Sequence, residues 1–398
     1  MLKMSFSGDL AYKFTEKIAI PRLIGTEGWK KAQNLIKDEF KKNGYEIQVQ
    51  NFKSSMFMVN VLLRVAMIPL LIIIILIIFG YYFYPWVSLI LSALILGLVP
   101  IIGKYATSGT EYKEPKKGIN SQNIFVKLKS ETSKAEVVFI GHYDTKSQVL
   151  SIVQRVICFV LLFIFGLIAC ILFFISSIFK LFLLTENSVI TISGLVCAII
   201  AGCAAIILMT NAVQNKSPGA LDNGTAVATV IELSRVFKDA PPKNIDLMFL
   251  CTDAEEQGVL GASAFIQKYE DQFSKENTYF INFEGPGAKD VDLGVLTSFG
   301  MPKKQYTSKK LNTLAIQAAE SLNINLKKHY WPIGLLADHN PIMKHGFKAT
   351  MLGPMTISAG IHTPKDTMEN VSRENLEKAG RIAQKIIELF DLELNQKD

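Results

Sequence analysis

Cysteine is scarce in this chain of 398 residues: there are five. Cys158, Cys170, Cys197 and Cys203 lie in long apolar runs and only Cys251 lies elsewhere. That leaves no disulfide framework, and no C-x-x-C pair offers a metal knuckle. The stretch MLKMSFSGDLAYKF carries no apolar core, so no cleaved export segment is expected. Nor does a basic stripe accompany the net charge of +7, because the lysines and arginines are scattered through amphipathic segments and the flanks of apolar runs. A nucleic-acid partner is therefore not expected. Internal repeats and low-complexity linkers are lacking as well.

Charge itself is missing over long stretches. The chain is 49% apolar, with a mean hydropathy of +0.28, and the excess is concentrated in four runs. No charged residue occurs from Val65 to Ile102, and the middle of that run, Gly80 to Trp86, is rich in tyrosine and holds a proline. Two spans of about 18 residues joined by an interfacial turn fit a hydrocarbon core about 30 Å thick, with Tyr81, Tyr82, Tyr84 and Trp86 at headgroup depth. A second pair runs from Val156 to Phe179 and from Val189 to Met209, linked by Lys180 to Ser188. Runs this long without charge have no polar face to offer water, so both pairs are read as transmembrane hairpins.

The remaining sequence reads as α/β. Trp29, Ala32, Leu35, Ile36 and Phe40 repeat at helical period within Thr26 to Lys42, and Asn43-Gly44 supplies a stop. Short β-rich runs fall at Tyr45 to Val49, Ile124 to Leu128, Val137 to Ile140, Ile245 to Cys251 and Tyr279 to Phe283. Helical patterns fall at Thr225 to Phe237, Lys310 to Leu322 and Glu374 to Phe390. This alternation predicts a three-layer α/β/α sandwich around a mixed sheet. Because an even number of spans returns the chain to one side, residues 1–55, 104–150 and 211–398 can form a single catalytic domain. Residues 56–103 and 151–210 are then inserted hairpins one and two.

Candidate chemistry collects at the ends of these runs. EVVFIGHYDTKS ends a buried-strand pattern in His142, where ligands bind in open α/β sheets, and Asp144 two residues on can accept the other imidazole N–H. SPGALDNGTAVATVIEL sets Asp222 in a turn before a helix, where a carboxylate can bridge two metals or simply cap the helix. IDLMFLCT runs into Asp253, Ala254, Glu255 and Glu256. Burying two adjacent glutamates without compensation is costly; a metal compensates one and leaves its neighbour free to act as a base. TYFINFEGPG ends in Glu284, and SAGIHTPKDT presents His362 in a polar loop. The ordered set of His, Asp, Glu-Glu, Glu and His is far more specific than any member.

On GHYDTKS, GALDNGTA, DAEEQGVLG, INFEGPG and IHTPKDT, the sequence resembles the di-zinc exopeptidases that include bacterial leucyl aminopeptidases, glutamate carboxypeptidases and polytopic metallopeptidases of the endoplasmic reticulum. IAIPRLIGTEGWKKAQNLIKDEFKKNGYEIQVQNF and ADHNPIMKHGF are similar to further stretches of that family. The resemblance implies two Zn2+ ions bridged by Asp222, one completed by His142 and Glu284, the other by Glu256 and His362. It makes Glu255 the general base and gives Asp144 the task of orienting His142. Two departures stand out: Glu284 where many aminopeptidases have Asp, and a long interval between His142 and Asp222 that shortens once the second hairpin is removed.

Lys53, Arg64, Lys104, Lys113, Lys116, Lys117, Lys146, Arg155 and Lys216 flank the spans on the catalytic side, against Lys180 alone on the other. This bias predicts a plasma-membrane protein with four spans and a cytoplasmic catalytic domain, although many polytopic relatives work in a lumen. The expected partners are a peptide substrate and the lipid bilayer. Aminopeptidase activity is favoured over carboxypeptidase activity, with glutaminyl cyclase third and a non-enzymatic receptor or chaperone as the competing class. His329, Tyr330, Trp331, Asp338 and His339 are pocket candidates.

Overall fold

The computed structural model describes residues 5–106, 111–301, 303–332, 336–354 and 360–396. The chain folds as two compact units. Met1–Ser55, Gly109–Ser147 and Gln214–Asp398 form the first; Met56–Ser108 and Gln148–Val213 form the second.

The first unit is built on a mixed sheet of nine strands. In chain order these are β1 (Gln48–Ser54), β2 (Ile119–Leu128), β3 (Ala135–His142), β4 (Ile245–Thr252), β5 (Thr278–Phe283), β6 (Leu293–Phe299), β7 (Gln305–Tyr306), β8 (Lys327–Trp331) and β9 (Lys348–Pro354). They lie side by side as β1-β2-β4-β3-β5-β9-β6-β8, with β7 paired to β6. The central strands β4, β3, β5 and β9 are mutually parallel, while β2 runs antiparallel to β4 on one flank of that block and β6 antiparallel to β9 on the other. The parallel block brings the carboxyl ends of β3, β4 and β5 to one edge, with His142 directly opposite Thr252.

Apolar side chains on both faces explain why these strands read as continuous hydrophobic runs. On one face Val138, Ile140, Met248, Leu250 and Phe280 pack with Phe265 and Ile342 of helices Leu260–Tyr269 and His339–Lys344. On the other, Phe139 stacks on Phe249 and on Phe237 of helix Thr225–Asp239. Tyr279 meets Phe390 of helix Arg373–Asn395 edge-on on that side.

Helix Glu27–Lys42 begins where Thr26 accepts from the Trp29 amide and stops before Gly44 at φ +77. Its buried stripe takes Gln33 rather than Leu35, because Gln33 donates to the Tyr143 hydroxyl at 3.0 Å. The strand expected at Tyr45 to Val49 starts later, at Gln48, since the Tyr45 ring turns inward and donates to the Ser234 carbonyl.

In the second unit, among the described residues, three helices are long and apolar enough to cross a membrane: Val59–Phe83, Ile152–Phe182 and Ser188–Met209. The fourth expected span falls on helix Pro85–Ala106, whose described apolar portion is Pro85–Leu98. Ala198, Ala201, Ala204 and Ala205 line the buried face of Ser188–Met209, where small side chains allow close helix approach. Tyr82, Tyr84 and Trp86 are exposed, but Tyr81 faces inward and accepts from the Thr191 hydroxyl at 2.9 Å. That buried partner satisfies the phenol.

Candidate metal centre

His142 is the last residue of β3 and is 1% exposed. Its Nε2 faces three carboxylates at once: Asp222 Oδ1 at 3.2 Å, Glu284 Oε1 at 3.5 Å and Glu255 Oε2 at 3.7 Å. A second imidazole, His362, sets Nε2 3.1 Å from Asp222 Oδ2 and 3.0 Å from Glu256 Oε2. Two groups of candidate ligands result, His142, Asp222 and Glu284, and Asp222, Glu256 and His362, with Asp222 common to both. Around a tetrahedral ion held at about 2.0–2.1 Å, neighbouring donors stand about 3.3 Å apart, so this spacing fits. Glu256 Oε1 and Glu284 Oε2 are buried and make no hydrogen bond with the protein, as open ligand atoms would. Mixed imidazole and carboxylate donors suit zinc better than the all-oxygen cations.

Local sequence explains each placement. Glu255 and Glu256 follow β4 through Ala254 at φ +54 and form one turn of 3-10 helix. Asp144 fixes that turn: its Oδ1 accepts from the Glu255 amide at 3.0 Å and its Oδ2 from the Glu256 amide at 3.1 Å. Its contact with His142 Nδ1 is looser, at 3.4 Å. The hold of Asp144 on this turn is a contact that the sequence did not signal. Asp222 sits in the turn Ala220–Gly224 ahead of its helix. Leu221 and Asp222 donate their amides to Asp366 at 2.8 and 3.1 Å. Asn223 reaches the strand that presents Glu284, donating to the Phe283 carbonyl and accepting from the Gly285 amide, both at 3.0 Å. His362 holds φ +59, a left-handed conformation uncommon for a residue with a Cβ.

Charge is tightly managed here. Among the described residues, Asp144, Asp222, Asp253, Glu255, Glu256, Glu284, Asp338 and Asp366 face Arg22 and Lys146 as fixed cations. Burial pushes Glu255 well up, and Glu284 and Glu256 push the same way against His142. Burial raises Asp253, Asp338 and Asp366 to about 7 each. Glu256 goes the other way: against burial, His362 and Lys146 hold it down to about 2. Against the same penalty, the surrounding carboxylates raise His142 well above its ordinary value and raise His362 as well. Without metal the imidazoles therefore take protons and supply the positive charge that the cluster lacks.

The sequence pattern gives no site role to Arg22, Lys146, Asn223 or Asp366. Lys146 Nζ sits 2.8 Å from Glu256 Oε2, and the other three hold backbone that carries ligands. Of the pocket candidates, Asp338 and His339 are fully buried, Asp338 accepting from Thr252 and His339 lying edge-on to Phe299. Burial lowers His339 to about 3, so it is neutral. Strand β8 carries the half-buried His329, Tyr330 and Trp331.

A mixed sheet whose parallel carboxyl edge gathers two imidazoles and a shared carboxylate defines a zinc-aminopeptidase-like fold. Residues 207–387 match the model of Peptidase family M28. That segment holds Asp222, Glu255, Glu256, Glu284 and His362 and leaves out His142. The chain is 28% identical to Aminopeptidase YwaD of Bacillus subtilis (strain 168) over 172 residues, 41% of this chain and 36% of that protein. It is 43% identical over 70 residues to the Vacuolar membrane protease of Schizosaccharomyces japonicus, 18% of this chain and 8% of that one. The aligned regions thus span well under two thirds of these relatives. Among solved structures, BSAP, a zinc aminopeptidase from Bacillus subtilis, superposes with a TM-score of 0.55 at 16% identity, covering 96% of this chain and 95% of that one. An Acidobacteriales bacterium glutaminyl cyclase gives 0.56 at 16% identity, covering 99% and 97%.

Proposed function

We propose that this chain is a membrane-anchored zinc metallopeptidase that releases N-terminal residues from peptides. The observation that carries the proposal is the convergence of His142, Asp222 and Glu284 with Asp222, Glu256 and His362, beside the buried carboxylate of Glu255. In this reading Asp222 would be shared by two ions, one of which His142 and Glu284 would also hold and the other Glu256 and His362. Zinc supplies Lewis acidity there, polarising a carbonyl and lowering the pKa of water. Glu255, whose raised basicity suits the task, takes a proton from the attacking water and returns it to the departing amine as the C–N bond breaks. Asp144 holds the Glu255–Glu256 backbone so that base and ligand keep their spacing.

The membrane part of the proposal comprises four spans in two hairpins, inserted in one catalytic domain that faces the cytoplasm of the plasma membrane. Three sufficiently long apolar helices and the lysine and arginine bias of the flanks support it. Protease digestion of sealed right-side-out vesicles tests the side: cleavage of the catalytic domain from outside would reverse the assignment.

Fold similarity alone favours neither hydrolysis nor cyclisation, since an aminopeptidase and a glutaminyl cyclase superpose equally well. The deciding experiment is zinc titration of the purified chain, followed by mass spectrometry of aminoacyl, N-blocked and N-terminal glutaminyl peptides. Binding of two ions with loss of single N-terminal residues is expected. Turnover of N-blocked peptides alone would replace the aminopeptidase assignment with a carboxypeptidase, and loss of ammonia alone with a cyclase.

A further inference from the structure

Arg22 is fully buried, yet no carboxylate is among its hydrogen-bond partners. It lies in the short connection between helices Gly8–Ile18 and Glu27–Lys42. Its Nε donates to the Tyr143 carbonyl at 2.5 Å, Nη1 to Pro218 at 2.5 Å and Nη2 to Gly219 at 2.8 Å. Nη1 also meets the carbonyls of Ile18 at 3.0 Å and Ile20 at 3.3 Å. Tyr143 directly follows His142, and Gly219 stands three residues ahead of Asp222. One rigid guanidinium thus ties together the two segments that present His142 and Asp222.

A planar fork is required for this. Lysine carries one point charge on a flexible stem and cannot hold three chain segments at fixed angles. The surroundings are shaped to the fork as well. Gly219 has φ +60, and a Cβ there would stand 2.1 Å from Thr145 Cγ2 and 3.0 Å from Arg22 Nη1. Thr145 closes the arrangement by accepting from the Arg22 amide at 2.9 Å and returning its own amide to the Arg22 carbonyl.

We propose that Arg22 is a positioning residue for the metal centre, fixing the separation of His142 and Asp222 by holding the Tyr143 and Pro218–Gly219 carbonyls in one fork. The inference rests on the zinc-site reading above. It makes zinc affinity depend on the fork's shape and not merely on its charge.

The test uses the full chain in detergent, with Arg22→Lys and Gly219→Ala compared with Arg235→Lys on a peripheral helix face. Zinc affinity is read by chelator competition, folding by circular dichroism and thermal unfolding, and kcat and KM on the best peptide. Arg22→Lys is expected to fold, to bind zinc about tenfold or more weakly, and to lose kcat with little change in KM. Gly219→Ala should weaken zinc likewise, because its Cβ displaces the same loop, whereas Arg235→Lys should not. Wild-type zinc affinity in Arg22→Lys or in Gly219→Ala would overturn the proposal. So would failure of Arg22→Lys to fold, which would make the residue a determinant of the whole fold, or equal weakening by Arg235→Lys. If the wild type itself bound no zinc, the metal-site reading would fall instead.

Discussion

Asp144→Asn isolates the carboxylate beneath the Glu255–Glu256 turn at minimal steric cost. Asp144 is 0% exposed, and its two oxygens each accept one backbone amide, from Glu255 and Glu256. Asparagine keeps one acceptor and turns an NH2 group toward the other amide. One charge-assisted hydrogen bond is lost and one buried donor is left without a partner, together about 2 kcal/mol or more. In a unit of this size that corresponds to a fall in Tm of about 3 °C. The turn carries the proposed ligand Glu256 and the proposed base Glu255, so zinc affinity should drop about 10–100-fold, the usual effect of losing a partner that orients a ligand. Chelator competition and thermal unfolding on the same preparation measure both. Zinc affinity within twofold of wild type, with Tm unmoved, would refute the idea that Asp144 holds this turn.

Glu255→Gln should retain both zinc ions and lose about 10²–10⁴ in kcat, since it removes the base and none of the proposed ligands; full activity would dismiss Glu255 as the base. Asp366→Asn should weaken zinc at both sites, because Asp366 accepts the amides of Leu221 and Asp222 and Asp222 is shared; unchanged stoichiometry and affinity would show that the turn holds without it. Metal-free protein should lose stability as pH rises from about 5 to 8. His142 and His362 are raised above 6.5 when folded, so their contribution is complete below that value and is lost as pH climbs through the folded values. Asp253, Asp338 and Asp366, raised to about 7, bind protons more readily folded than unfolded and add to the same slope. A Tm of the metal-free protein that rises over this range would contradict the charge assignments.

The sheet edge was readable because its signals are local. Apolar runs ending in His142, Glu256 and Glu284 mark β3, β4 and β5, which are buried on both faces and need no alternation. Strand β8, KKHYW, escaped notice because its sheet-end place leaves the lysines in solvent and breaks the apolar pattern. The supports of the site were illegible for a different reason. Asp144 meets Glu255 across 111 residues and Arg22 meets Gly219 across 197, and no window of sequence reports such a contact. Arg22 and Asp366 look like loop residues until the sheet closes around them.

The same charge distribution makes metal loading a proton-releasing reaction. In the metal-free chain, His142 and His362 direct Nε2 at carboxylates that favour the imidazolium. That nitrogen cannot hold a proton and a zinc ion together, so each ion must displace one proton from the imidazole it takes. Because both imidazoles are raised above 6.5, both are charged at slightly acidic pH, and filling the centre there should release about two protons per chain. Calorimetric zinc titrations in buffers of different ionisation enthalpy measure this number directly. Apparent affinity should rise with pH until the imidazoles lose their protons unaided, and proton release should fall over the same interval. Release near zero at pH 6 would mean that the imidazoles are already neutral, so that the cluster draws its positive charge from elsewhere.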